Sequence, residues 1–383
     1  MIEYNKHSIT KSDISSVVRT LKSSFITKGP RVIEFEKNLK KYFGSKFCIT
    51  TSNATCAFLM ISKLLNLSKK DIIILSPLTF ISGANSASFF GAKTLFIDVN
   101  DYDQNIDCIK LEKILKNKKI KKRVKAIIVT DYGGNPADWQ KLKKISNKNK
   151  IPLINDNCHA IGSRYKKKKD YACRYAHFVV HSYHAVKNIT CGEGGSILLN
   201  DKKNYQILKK LREHGFDKKN NIENWKYDMG IVGFNFRLSD INCALGNSQL
   251  KRLDKIVKSR NIIAKKYFNL LRKFKFISLP LVNTNNVNAY HLFPIRINFK
   301  KFKISKNEFL KKMKIIFKIN LQIHYTPTYR FKYYIKTLKV KFNKYPNTEK
   351  FFNESFSLPI YPDLKENEQK YIVSSIIKCL NLR

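Results

Sequence analysis

Lys187 stands in a setting unlike that of most lysines in this chain. It falls within His181-Ser182-Tyr183-His184-Ala185-Val186-Lys187-Asn188-Ile189-Thr190-Cys191-Gly192-Glu193-Gly194-Gly195. The apolar run Phe178-Val179-Val180 leads in and Ile197-Leu198-Leu199 leads out, so the lysine is expected on a turn between two buried strands. A lysine amine ordinarily ionises near ~10.4, and desolvation or a nearby cation lowers that value. With its proton partly removed, the amine attacks carbonyl carbons and bonds to them covalently. The plain reading, a strand-end lysine reaching into water, holds unless other groups converge on it.

Several other groups carry chemistry of their own. Pro152-Leu153-Ile154-Asn155-Asp156 reads as a strand ending in a carboxylate, and Asn157-Cys158-His159 follows at once. Ser52-Asn53-Ala54-Thr55 opens an apolar helix, Ala57 to Leu65. Hydroxyls and free N–H groups at a helix start bind phosphate, or serve only as a cap. Phe80, beyond the apolar run Ile72–Leu75, suits stacking on a flat ring or an ordinary place in the core.

The elements that must position these residues alternate. Strands are expected at Phe47–Thr51, Ile72–Leu75, Thr94–Val99, Val124–Thr130 and Pro152–Asp156, with helical stretches between them. That alternation predicts an α/β fold, a mainly parallel sheet flanked by helices. Ligands in such sheets collect beyond the strands' carboxyl ends. Ser52–Thr55, Phe80, Asp131, Asp156 and His159 all fall at those ends, which outweighs the plain reading of Lys187. Ahead of the first strand, residues 8–24 predict an amphipathic helix capped by Ser12 or Asp13, and a second helix ends at Gly44. Beyond the sheet, residues 203–214 are expected helical, Asn220 to Gly230 a loop, and Ser239 to Lys273 one long helix. The C-terminal part mixes strands (His291–Ile297, Leu321–Tyr325, Phe356–Pro359) with helices at 305–317 and 366–380. A boundary near 250 divides a large domain, 1–250, from a smaller α+β domain, 251–383.

Composition excludes several classes. No run reaches the ~20 apolar residues that span a bilayer, and the N-terminus has no apolar signal core. Eight scattered cysteines form no Cys-x-x-Cys pair, so neither a metal site nor a disulfide framework is expected, and a reduced, cytoplasmic protein is. The formal net charge of +46 raises nucleic-acid binding as a reading. The lysines are spread along the whole chain, however, and a basic surface equally attracts small anions. No nucleic-acid or membrane partner is expected.

With these residues laid out, the chain resembles the pyridoxal-phosphate (PLP) dependent nucleotide-sugar aminotransferases of the DegT-like family, on the aspartate-aminotransferase fold (PLP fold type I). The resemblance spans nearly the whole length. Its most specific pieces are Asp156–Gly162, Ser182–Gly195, and Gly233-Phe234-Asn235-Phe236-Arg237-Leu238 with Ala244-Leu245-Gly246. It implies that Lys187 is the lysine bonded to pyridoxal 5'-phosphate, that Asp156 pairs with the pyridinium nitrogen, and that His159 lies beside the phenolic oxygen. It further implies Phe80 as the stacking aromatic, Ala54, Thr55 and Ser182 as phosphate binders, and Asn235 as reaching the phosphate from a second subunit of a homodimer. His324, Tyr325 and Arg237 match substrate-binding positions. Lysine rather than histidine at 187 favours transamination over dehydration, while Cys191 stands where threonine is common and suggests sensitivity to oxidation. His184–Thr190, Asn235–Leu238 and Ile323–Tyr329 look like the branch serving pseudaminic acid synthesis, which implies a UDP-linked 4-keto-6-deoxy-N-acetylhexose as acceptor and glutamate as donor. Another nucleotide sugar, a PLP dehydratase, and a basic regulatory protein on a PLP fold are the other readings.

Overall fold

The computed structural model describes residues 1–217, 228–281 and 283–381. The expected loop Asn220–Gly230 therefore lies mostly outside the described residues. Seven strands form one sheet: β1 (Phe47–Thr51), β2 (Ile72–Leu75), β3 (Lys93–Phe96), β4 (Val124–Thr130), β5 (Leu153–Asp156), β6 (Phe178–Ser182) and β7 (Gly195–Leu199). Their spatial order is β1-β7-β6-β5-β4-β2-β3. The pairs from β3 through β6 are parallel, and β7 runs antiparallel to both neighbours.

The strands are apolar almost without interruption because both faces are covered. Alternate residues go to opposite sides. Ile72, Ile74, Ile127, Val129 and Leu153 enter one buried cluster, and Ile73, Leu75, Ala126, Ile128 and Ile154 enter the other. Helices α1 (Lys11–Leu21), α2 (Pro30–Phe43), α3 (Ala54–Leu64) and α4 (Ser82–Phe89) include those that close these faces. α2 ends where Gly44 adopts the left-handed conformation at φ 69°.

α1 departs from expectation in two ways. Its cap is Thr10, with Asp13 completing the capping box, rather than Ser12 or Asp13. Its apolar stripe also faces outward: Ile14, Val18 and Leu21 are exposed, while Asp13 and Thr20 are buried.

A third core gathers around a three-stranded antiparallel sheet of β10 (Ile277–Ser278), β11 (Phe293–Ile297) and β12 (Ser355–Leu358). A short antiparallel pair, β8 (Phe216–Asp217) with β9 (Asp228–Met229), lies earlier in the chain. The single helix expected over 239–273 is two, Asp240–Leu250 and Leu253–Leu271. The break falls at Arg252, whose guanidinium donates to Asp13 Oδ2 at 2.7 Å and to the Ser8 carbonyl at 2.9 Å. The second helix bridges cores: Leu253, Ile256 and Val257 pack with the large sheet, and Ile263, Tyr267 and Leu271 with the small one.

Residues 321–325 do not form a strand; only a bridge between Gln322 and Ser357 is made. A strand would turn His324 and Tyr325 to opposite faces. Here both side chains line one cavity.

Candidate active site

The carboxyl ends of β1, β2, β4, β5 and β6 open on one edge of the sheet. Because β7 is antiparallel, its first residue, Gly195, lies on that same edge, opposite Thr51 and Ser182. A cavity of about 500 Å³ occupies this edge. Ala54, Thr55, Phe80, Asp156, His159, Ser182, Lys187, His324 and Tyr325 all line it.

Asp156 ends β5 and is only 5% exposed. Its Oδ2 accepts from the hydroxyls of Thr79 and Thr130, each at 3.3 Å, and its Oδ1 from the Cys158 amide at 3.3 Å. A carboxylate so held keeps one orientation toward the cavity.

Lys187 is half-buried on the turn after β6. Burial pushes its amine below the usual lysine range, and Cys158 and Asp156 oppose part of that shift. Its Nζ lies 3.4 Å from His291 Nε2. His159 is buried, with Nε2 2.8 Å from the Tyr325 hydroxyl and Nδ1 accepting from the Gly133 amide at 3.4 Å. Burial first, then Lys187 and His324, holds its imidazole well below the ordinary histidine range, so it is neutral at pH 7.

The N-terminus of α3 faces the same space. Asn53 caps it through the Cys56 amide at 2.9 Å, and Ala54 and Thr55 line the cavity wall. The first amides of any helix lack partners within it, which makes this wall a natural anion site. Phe80 leaves 55% of its surface exposed, with its ring 6.0 Å from that of Tyr325. His324 donates to or accepts from Ser357 Oγ through Nδ1 at 2.9 Å, and burial with nearby Lys187 brings its pKa down to about 3.

Two expectations are revised, those for Asp131 and Cys191. Asn235, expected to act from a second subunit, does not line the cavity of its own chain, and neither does Arg237. Their segment is tied to its rim instead, where the Ser52 amide donates to the Phe236 carbonyl at 2.9 Å. Asp131 reaches the same sheet edge but turns into a buried network, accepting from Tyr171 Oη at 2.7 Å, the Ala137 amide at 2.8 Å and Trp139 Nε1 at 2.9 Å. Cys191 is 1% exposed and off the cavity, and burial pushes its thiol up, the opposite of an oxidation-prone site. Cys158 is the cysteine on the wall.

Sequence reasoning missed His291, Tyr4 and the pair His184–Glu193, whose side chains stand 3.8 Å apart at the mouth. One signal was available: of the chain's eight histidines, His159, His184, His291 and His324 meet in this cavity. Among the described residues, no helix is long and apolar enough to cross a membrane.

Comparison with known proteins agrees with this geometry. The model of the DegT/DnrJ/EryC1/StrS aminotransferase family matches residues 7–377. The chain is 35% identical over 382 residues to a UDP-4-amino-4,6-dideoxy-N-acetyl-beta-L-altrosamine transaminase of Campylobacter jejuni, covering 99% of this chain and 98% of that one. Among solved structures it is similar to Helicobacter pylori PseC, an aminotransferase involved in pseudaminic acid biosynthesis, with TM-score 0.90, 29% identity and 99% of each chain covered. It is also similar to Spr1654 of Streptococcus pneumoniae in its PLP-form, with TM-score 0.89, 25% identity, and 99% of this chain and 98% of that one covered.

Proposed function

Because this chain belongs to the DegT/DnrJ/EryC1/StrS aminotransferase family, we propose that it transfers an amino group from glutamate to C4 of a UDP-linked 4-keto-6-deoxy-N-acetylhexose, for pseudaminic-acid-type glycans, using pyridoxal 5'-phosphate. The observation that carries this reading is one cavity holding a lysine amine, a fixed carboxylate and a helix N-terminus together. When bound, the cofactor supplies an aldehyde that captures amines and a ring that takes up the electron pair released at the amine-bearing carbon.

The residues present suit that group. Asp156, clamped by Thr79 and Thr130, offers a charge to a pyridinium N–H. The α3 amides of Ala54 and Thr55 and the Ser182 hydroxyl suit a phosphate. Phe80 offers an exposed ring face, and His159, which lines the same cavity, is read as serving the phenolic oxygen. Lys187 Nζ would hold the cofactor, and its amine, when free, would serve as the base that moves a proton at the amine-bearing carbon. Neutral His159, His291 and His324 place no competing positive charge beside that amine. His324 and Tyr325 are read as contacts to the sugar nucleotide.

Asn235 and Arg237 are read as serving the cavity of a second copy in a homodimer. The outward stripe of Ile14, Val18, Leu21, Phe25 and Ile26 supports such pairing, since a row of apolar side chains this long gains by being covered. Residues 1–250 are read as the cofactor-binding domain and 251–383 as the smaller one.

Purified protein is expected to be yellow with PLP, with a visible band that borohydride abolishes and that Lys187→Ala lacks. Amine transfer from glutamate is then compared across UDP-, GDP- and dTDP-linked 4-keto sugars. Failure to take up PLP overturns the reading, and transfer only to a GDP or dTDP sugar overturns the substrate.

A further inference from the structure

The turn carrying Lys187 is sewn, residue by residue, to a segment about a hundred positions later. Asn188 Nδ2 donates to the Ala289 carbonyl at 3.1 Å. Lys187 Nζ meets His291 Nε2 at 3.4 Å. The Val186 carbonyl accepts from Asn5 Nδ2 at 2.7 Å, and Asn5 Oδ1 accepts from Arg260 Nη2 at 3.3 Å. Arg260 Nη1 in turn donates to the carbonyls of Tyr290 at 3.0 Å and Ile360 at 2.8 Å. The residues just before Lys187 and just before His291 are thus held to one guanidinium that is 1% exposed.

His291 itself is 3% exposed, and among the described residues its Nδ1 has no hydrogen-bond partner. A buried polar nitrogen left without a partner is uncommon and costly. Its other nitrogen is committed to the lysine. The His159 ring lies 4.7 Å away but has both of its own nitrogens engaged.

We propose that His291 is a positioning residue that docks the Lys187 amine whenever that amine is not covalently engaged. This rests on reading Lys187 as the residue that holds the cofactor. With Lys187 as an ammonium, the imidazole accepts at Nε2 and carries its hydrogen on Nδ1. A free lysine amine sits on a flexible four-carbon stem through which it can disperse, and a fixed acceptor keeps it at the reacting carbons.

For this the imidazole must stay neutral, and its surroundings ensure that. The charged and titratable groups acting on it are Lys187, His159, Arg260 and His324, while Asp156 and Cys158 act on the lysine itself. Burial, followed by the first four, holds His291 well below the ordinary histidine range.

The test needs no turnover. Cofactor-free, full-length protein is labelled by reductive methylation across a pH series, and mass spectrometry reads the titration of Lys187 itself. His291→Leu removes the acceptor of the ammonium and is expected to lower the Lys187 midpoint by about one pH unit or more. His291→Gln, whose amide reaches to the place of Nε2, is expected to recover most of that shift. Identical midpoints for wild type and His291→Leu overturn the proposal. Should His291→Leu fail to fold, ¹⁵N-histidine spectra of wild type and Lys187→Met replace it, and an unchanged His291 Nε2 resonance overturns the proposal equally. Borohydride capture of PLP on Lys187 in the wild type is run alongside. Its failure sinks the assignment of Lys187 and leaves the docking result standing.

Discussion

Asp156 shows how much of a residue's role is set by what stands behind it. Two threonine hydroxyls and one amide fix its carboxylate, so its charge is offered in one direction. Asp156→Asn removes the charge and keeps the shape. Turnover is expected to fall about 10²- to 10³-fold, while the borohydride-sensitive band of the bound cofactor persists. Equal turnover in steady-state assays would contradict this. Phe80 makes a contrasting case, since its exposed ring contributes little to the fold. Phe80→Ala is expected to weaken PLP binding about five- to tenfold by fluorescence titration. The melting temperature of the cofactor-free protein should hardly move.

At this scale the sequence was informative where chemistry is written in adjacent letters. Asp156 and His159 are three positions apart at a strand end, and Lys187 lies between two apolar runs. His291 carried no such mark. It belongs to the site only because the fold brings a segment from beyond the long helices back against the Lys187 turn.

The strands of the large sheet were readable because burial on both faces removes polar letters from them. Their direction was less so. β7 runs antiparallel to β6 because the connection between them, residues 183–194, forms no crossover helix and turns straight back along the same edge. This reversal places Gly195 at the ligand edge, where a β-carbon would come within 2.5 Å of the Asn53 carbonyl carbon and 2.7 Å of the Ala54 nitrogen. Those are backbone atoms at the mouth of α3 and cannot swing aside. Gly195→Ala is expected to destabilise the protein by about 1–3 kcal/mol in urea unfolding and to weaken PLP binding as well. An alanine variant as stable as wild type would show that α3 yields more easily than its packing indicates.

The break between Asp240–Leu250 and Leu253–Leu271 was illegible because neither glycine nor proline marks it. It coincides with a tertiary contact, Arg252 to Asp13, which no local pattern announces. Residues 321–325 misled for a similar reason. Their apolar and aromatic letters suit a strand, but two successive side chains are needed on the same side.

Across the described residues, the three larger cores and a large positive charge meet in one chain. Acid is expected to find its weak points. His181 is fully buried against Phe43, and burial alone lowers its pKa from 6.5 to about 3. Between those values the unfolded chain binds a proton that the folded chain refuses, so stability rises with pH. The contribution is fully present above pH 6.5 and is lost as pH falls toward about 3. Down to about pH 5 the loss amounts to about 2 kcal/mol from this residue. His181→Gln is expected to flatten the change in urea midpoint between about pH 7 and pH 5 relative to wild type. Parallel curves would assign the acid sensitivity to other groups.

The tie from Asn5 to Val186 reaches past stability into how the protein should be handled. Leading residues are commonly treated as spare length, open to trimming or to a purification handle. Here Asn5 grips the turn that bears Lys187, and Ile2 is paired with Ile319 beside it in the small core. Trimming through Asn5, or loading that segment with a bulky fusion, would tug on the Lys187 turn, so an enzyme weakened by its tag would be the natural result.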